Sequence, residues 1–139
     1  MQTFLPYESF EHSASVLDRQ RLGKQRVECL QIVKAITQPD YGWQNHPAVN
    51  MWRGYLRSLI CYGVAVCDEW IGRGYKDTCR EKLLANLPAD GEDPVWLGDS
   101  KFHRSHRSNL LRKNPQHYGE YFEQDLPSNL EYVWPRRDG

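Results

Sequence analysis

The chain has no run of apolar residues approaching the length of a membrane helix, and its start, MQTFLPYESFEH, has no basic stretch followed by an apolar one. Neither a membrane span nor a secretory leader is expected, which points to a cytoplasmic protein. It has no surplus charge, because Lys plus Arg and Asp plus Glu both total 18. The global charge therefore gives no reason to expect nucleic acid or anionic lipid. No CxxC pair occurs among Cys29, Cys61, Cys67 and Cys79, which lie mostly within apolar helical patterns and read as buried reduced thiols. A glycine-rich phosphate loop, a nucleophile elbow and a helical pair of metal-binding histidines are all missing. The common catalytic templates are thus excluded as motifs, no cofactor or metal is implied, and any site must be built from dispersed residues. No segment alternates polar and apolar residues between turns, so no substantial sheet is expected.

What is present suits one all-α domain. At 139 residues the chain can bury a single core, and one compact domain over 1–139 is expected, with three main helices and an aromatic-rich irregular C-terminal segment. The first helix is predicted from about Ser13 to Ile36, before the turn-rich stretch TQPDYGW. It carries Leu22, Cys29, Leu30, Ile32, Val33 and Ile36 on one apolar side. The second starts at HPAVNMW, where Pro47 suits a first helical position, and runs to the glycines at 72 and 74. A short helix around Thr78 to Leu87 follows, then a loop from Pro88 to Gly98. The third helix, KFHRSHRSNLLRK, is capped by Asp99 or Ser100 and stopped by Asn114 and Pro115. It is mostly polar, which suggests that one face meets something other than the core.

Charge is unevenly distributed. Four basic residues and no acid lie between Arg19 and Arg26, and five more with two histidines lie between Lys101 and Lys113. Such separation makes basic patches on a neutral protein. Arg21, Lys24 and Glu28 form one helical stripe at i, i+3 and i+7. Opposite charges at this spacing support an ordinary solvated surface. The functional alternative is a carboxylate among cations, where Glu28 moves a proton or stabilises a developing cation while Arg21 and Lys24 engage phosphates. Arg26, Arg104, Arg107, Arg112 and Lys113, with His103 and His106, are the other candidate DNA contacts, and Tyr118 offers a surface for a base.

Three segments taken in order, LDRQRLGKQRVECLQIV, HPAVNMWRGYLRSLICYGVAVCDEWIGRGY and FHRSHRSNLLRKNPQHYGEYF, resemble the pyrimidine dimer DNA glycosylases of the phage endonuclease V type. The resemblance implies a compact all-helical fold that binds double-stranded DNA, flips a base from the stack, cleaves the glycosylic bond and then the backbone. It implies as nucleophile the α-amine of the processed N-terminus, assisted by a glutamate on the first helix that corresponds to Glu28. An α-amine suits this role, since its unperturbed pKa of about 7.7 to 8.0 leaves an appreciable neutral fraction. The chain departs from the family pattern twice. Characterised members expose a small second residue, whereas Gln2 is large enough to block removal of Met1; the nucleophile is then the amine of Met1, or of Gln2 after unusual processing, or no amine at all. Val27 stands where the family has an arginine before the glutamate. The expectation is a monomeric DNA glycosylase, with or without AP lyase activity, acting on a damaged or modified base. A DNA-binding module that retains the fold without catalysis, and a protein-interaction domain, are the competing readings.

Overall fold

A computed structural model describes residues 1–135, so the last four residues of the domain expected over 1–139 lie outside the described residues. Within them the protein is helical, with no strand: α1 Phe10–Val16, α2 Arg19–Thr37, α3 Pro47–Asn50, α4 Leu56–Gly72, α5 Cys79–Leu84, α6 Ser100–Lys113 and α7 Pro115–Tyr118. The long helices α2, α4 and α6 are the three main ones read from the sequence. Helix α4 packs against α1, α2 and α5, and Gly63 permits the approach, since a Cβ there would lie 2.8 Å from Leu83 Cδ1 and 3.2 Å from Cys29 Cβ.

The boundaries differ where polar side chains found better partners than helix continuation. The first expected helix breaks at Leu17 and Asp18, both extended. Asp18 caps α2 by accepting from the Arg21 N–H, and it also receives the Tyr118 hydroxyl. An aspartate offered these bonds favours a cap over a helix interior. The second expected helix is interrupted between Asn50 and Leu56, where Gly54 takes φ 87°. Pro115 starts α7 as well as ending α6. Of the four cysteines only Cys61 is exposed, contrary to the expectation that all are buried. The 88–98 loop is pinned: Trp96 is buried and donates to the Met51 carbonyl at 3.0 Å.

Helix α6 buries much of its polar sequence: His103, Ser105, His106, Ser108 and Asn109. Their partners are two extended segments. Ser105 and Ser108 accept from the Val133 and Leu130 N–H groups, and Asn109 donates to the Leu130 carbonyl, which straps the C-terminal segment along the helix. His103 and His106 hold the N-terminal segment through Leu5. The Leu5 N–H donates to His106 Nδ1 at 3.1 Å, and His103 Nδ1 donates to the Leu5 carbonyl at 2.8 Å. Two neutral imidazoles in opposite tautomers thus satisfy both backbone groups of one residue. Burial pushes His106 down to about 3.

A histidine protonating near 6.5 when unfolded but only near 3 when folded contributes stability that is complete above the higher value and lost as pH falls toward the lower. The urea midpoint is expected to fall on acidification from pH 7 to 4. His106→Gln, which has no group titrating there, should show a flatter dependence over that window.

Candidate active site

The first residues enter the interior as an extended chain. Glu28 Oε2 accepts the Gln2 N–H at 2.7 Å, and the Gln25 amide answers the next two groups, donating to the Gln2 carbonyl at 2.8 Å and accepting the Phe4 N–H at 2.6 Å. The Tyr62 hydroxyl donates to the Phe4 carbonyl, Trp52 donates to Thr3 Oγ1 at 3.1 Å, and Arg107 reaches the Pro6 carbonyl at 2.8 Å. Ser13 closes the series on both backbone groups of Tyr7.

This threading sets residue 1 beside the carboxylate. The Met1 amine is 3.7 Å from Glu28 Oε2. The Met1 side chain is only 1% exposed, yet the residue as a whole is partly exposed, so its accessible surface belongs to the main chain. Glu28 is 4% exposed, and its second oxygen, Oε1, is buried with no hydrogen-bond partner among the described residues. Burial raises this carboxyl above the ordinary glutamate range, against the opposing pull of the Gln2 N–H, the Met1 ammonium, Lys24 and Lys113. The stripe of Arg21, Lys24 and Glu28 is therefore not a solvated face: its acid points inward, under the N-terminal segment.

Four of the expected DNA contacts gather here. Lys24 and Lys113 lie within electrostatic reach of Glu28, and Lys113 also feels Arg21 and Arg112. Burial, then the neighbouring arginines, holds Lys113 below the ordinary lysine range. Its ammonium lies 5.2 Å from the centre of the Phe4 ring and 5.8 Å from that of Tyr132. Lys24 of α2 and Lys113 of α6 so act on one carboxylate, with Arg112 and Arg21, the latter paired with Asp18, near Lys113.

The other expected contacts lie elsewhere. His103, His106 and Tyr118 are buried, which corrects their placement at a DNA surface: the histidines bond Leu5, and the Tyr118 hydroxyl bonds Asp18. Arg26 pairs with Asp77 and lies 4.5 Å from the centre of the Trp70 ring, and Arg107 pairs with Glu123. Both serve packing. Arg104 is exposed on α6. Gln25, wholly buried, is the site residue the sequence did not suggest. It lies on the same α2 stripe, but its partners are more than twenty residues away. A cavity of about 440 Å³ lined by Ile60, Cys61, Val64, Leu84 and Leu87 involves none of the residues around Glu28.

Among models of protein families, the one described as pyrimidine dimer DNA glycosylase matches residues 1–83, more than half of the chain. The chain belongs to this family. Its activity is accordingly that of a DNA glycosylase, and DNA is its substrate. The match takes in the N-terminal segment, Glu28 and Gln25, and it ends before α6, so the likeness read between Phe102 and Phe122 lies outside it. No curated protein and no solved structure matches the chain. Among the described residues no group of histidine, cysteine and acidic side chains is arranged to hold a metal, and no helix is long and apolar enough to cross a membrane.

Gln25→Met keeps the volume but leaves the Gln2 carbonyl and the Phe4 N–H without their partner. Each unsatisfied buried group costs roughly 1–3 kcal/mol. The variant should show a lower urea midpoint and a larger loss of turnover than of DNA affinity, as read by denaturation, single-turnover rates and binding titration.

Proposed function

We propose that the protein excises a damaged or modified base from double-stranded DNA through an imine formed by the α-amine of Met1, with Glu28 as the assisting carboxylate. The observation that carries this reading is the pairing of the Met1 amine, on a residue whose main chain is partly exposed, with a buried carboxylate that has one oxygen to spare. Met1 is favoured over Gln2 as the source of the amine because its side chain has a place in the interior. An exposed N-terminal glutamine would moreover close its own side-chain amide on the amine, expelling ammonia and destroying the nucleophile.

In the proposed reaction the neutral amine attacks C1′ of the damaged nucleotide. The glycosylic bond breaks with its electron pair leaving on the base, which takes up a proton. Opening of the sugar at O4′ then gives the protonated imine between Met1 and C1′. Glu28, as carboxylate, stabilises that positive charge and assists the proton transfers. Removal of a C2′ proton expels the 3′-phosphate, which is the AP lyase step. Arg21, Lys24, Arg112 and Lys113 hold the backbone phosphates, with exposed Arg104 further along α6, and offset the work of extruding the base. The competing reading, a DNA-binding module without catalysis, predicts salt-sensitive binding and no product.

Incubating the protein with abasic DNA, and separately with ultraviolet-irradiated DNA, in borohydride should trap a covalent adduct whose intact mass and peptide map place it on Met1. Absence of an adduct on both would remove the amine from the mechanism. Glu28→Gln should abolish turnover and keep DNA affinity; equal turnover would take Glu28 out of the reaction. If ionised Glu28 is required, activity is present above its raised pKa and lost as pH falls through it. The acid limb of the single-turnover rate should then lie above the ordinary glutamate value of about 4.3.

A further inference from the structure

We propose that Trp43 is a base-stacking residue that enters the DNA helix at the lesion, beside the Met1 amine. This inference rests on the reading that DNA is bound over Glu28 and Met1.

Trp43 is 52% exposed, and it is the one described residue other than glycine with a positive φ, 70°. A bulky side chain in the left-handed region is strained, and such strain persists only where surrounding structure enforces it. Here the enforcement is visible. The next residue, Gln44, turns its side-chain amide onto the carbonyls of Ala35, Gln38 and Tyr41 at 2.8, 3.1 and 2.9 Å. Arg53 takes the Gln44 backbone and side-chain oxygens at 2.7 and 3.0 Å. The loop is thus fastened to the end of α2 in a form that turns its largest apolar side chain toward water. On one side the indole meets the ring of His46, edge to face at 5.7 Å.

The placement relative to the site follows from the direction of the first residues. Gln2 bonds Glu28, and Phe4 bonds Gln25 one turn earlier on α2, so the N-terminal segment runs antiparallel to that helix. Residue 1 therefore points along α2 toward Ala35, where Gln44 is fastened. Seven residues separate Glu28 from Ala35, a rise of about 10 Å. The segment after His46 turns back to the same place, since α3 packs on α2 and Trp52 donates to Thr3. Burial, and after it the Met1 ammonium, lowers the tendency of His46 to charge. Its Nδ1 accepts the Ala48 N–H, which fixes the ring as the cap of α3, in contact with the indole and within electrostatic reach of the amine.

A base taken out of the stack leaves a gap and exposes its own faces, and an aromatic side chain can fill either place. Stacking of this kind is tolerant of sequence, because every base has a π-face. It suits an enzyme that must find a lesion within any sequence.

The test compares the full-length protein with Trp43→Ala and Trp43→Phe. The probes are a duplex carrying a tetrahydrofuran abasic analogue opposite 2-aminopurine and the same duplex undamaged. Trp43→Ala should weaken binding to the lesion duplex by about tenfold or more and suppress the 2-aminopurine fluorescence change. It should leave the undamaged duplex unaffected, and Trp43→Phe should restore most of both signals. Equal binding and equal fluorescence change by Trp43→Ala would overturn the proposal, as would an equal loss on both duplexes, which would mark a general contact. If the wild-type protein traps no imine yet distinguishes the lesion duplex through Trp43, the catalytic reading fails and this one stands. If it traps an imine but Trp43→Ala behaves as wild type on the lesion duplex, this one fails alone.

Discussion

An extended chain inside a helical protein has no neighbouring strand, so each of its backbone N–H and carbonyl groups must find a side chain or lose the hydrogen bonds it made in water. Residues 2 and 4–7 meet this constraint with partners from four helices. Ser13 comes from α1, Glu28 and Gln25 from α2, Tyr62 from α4, and His103, His106 and Arg107 from α6, with Trp52 adding a bond to the Thr3 side chain. Each partner answers one or two named groups, so a slip of one residue would leave most of the series unpaired. The set fixes both the register of the N-terminal segment and the relative position of the helices that reach it.

The same bonds build the chemistry. Glu28 is the first rung of the series, and the oxygen that holds Gln2 leaves the other unpartnered. A carboxylate anchored in this way can face a substrate without an ordering cost at the moment of reaction. Its environment is buried but not neutral: burial favours the protonated form while Lys24, Lys113 and the Met1 ammonium favour the charged one. Two of the nearby cations, Arg112 and Lys113, belong to α6, which is held in place through Leu5 and Pro6. Fold stability and site geometry are thus properties of one network, and they should respond together when a central member such as Gln25 is lost.

This network also explains how far the sequence could be read. Apolar periodicity finds α2 and α4 because their cores are ordinary helix packing, with Leu22, Ile32 and Val33 on one side of α2, while the mostly polar α6 is legible through its cap and stop residues. It has no means of marking a polar residue whose partner is an extended backbone far away in the chain. Tyr118 and Asp18 are 100 residues apart, His106 and Leu5 are 101, and Arg26 and Asp77 are 51. Each of the three read as a surface residue for want of a visible partner. Glu28 was legible for a different reason: the stretch preceding it resembles the family's, although Val27 does not. Charge clustering grouped Lys24, Arg112 and Lys113, whose charges the fold brings within reach of one another, but could not separate them from Arg107, whose guanidinium is spent on Pro6 and Glu123.

The family likeness stops at residue 83, while the cations of α6 and the aromatic strap after it do not. Imine chemistry as proposed needs little more than the amine and the carboxylate, and both lie within the matched part. Recognition needs more surface, because discriminating one base from another depends on the walls of the pocket that receives it. Lys113 and Tyr132, whose ammonium and ring centre lie 5.8 Å apart, stand on the Phe4 side of the site, outside the matched part. Tyr132 meets α6 through the His106 ring at 5.3 Å, beside the backbone bonds that Leu130 and Val133 make to that helix, and its hydroxyl is buried without a partner among the described residues. The reaction centre as proposed thus lies within residues 1–83, while the cations and aromatic rings that α6 and the C-terminal segment set beside it lie beyond the family match.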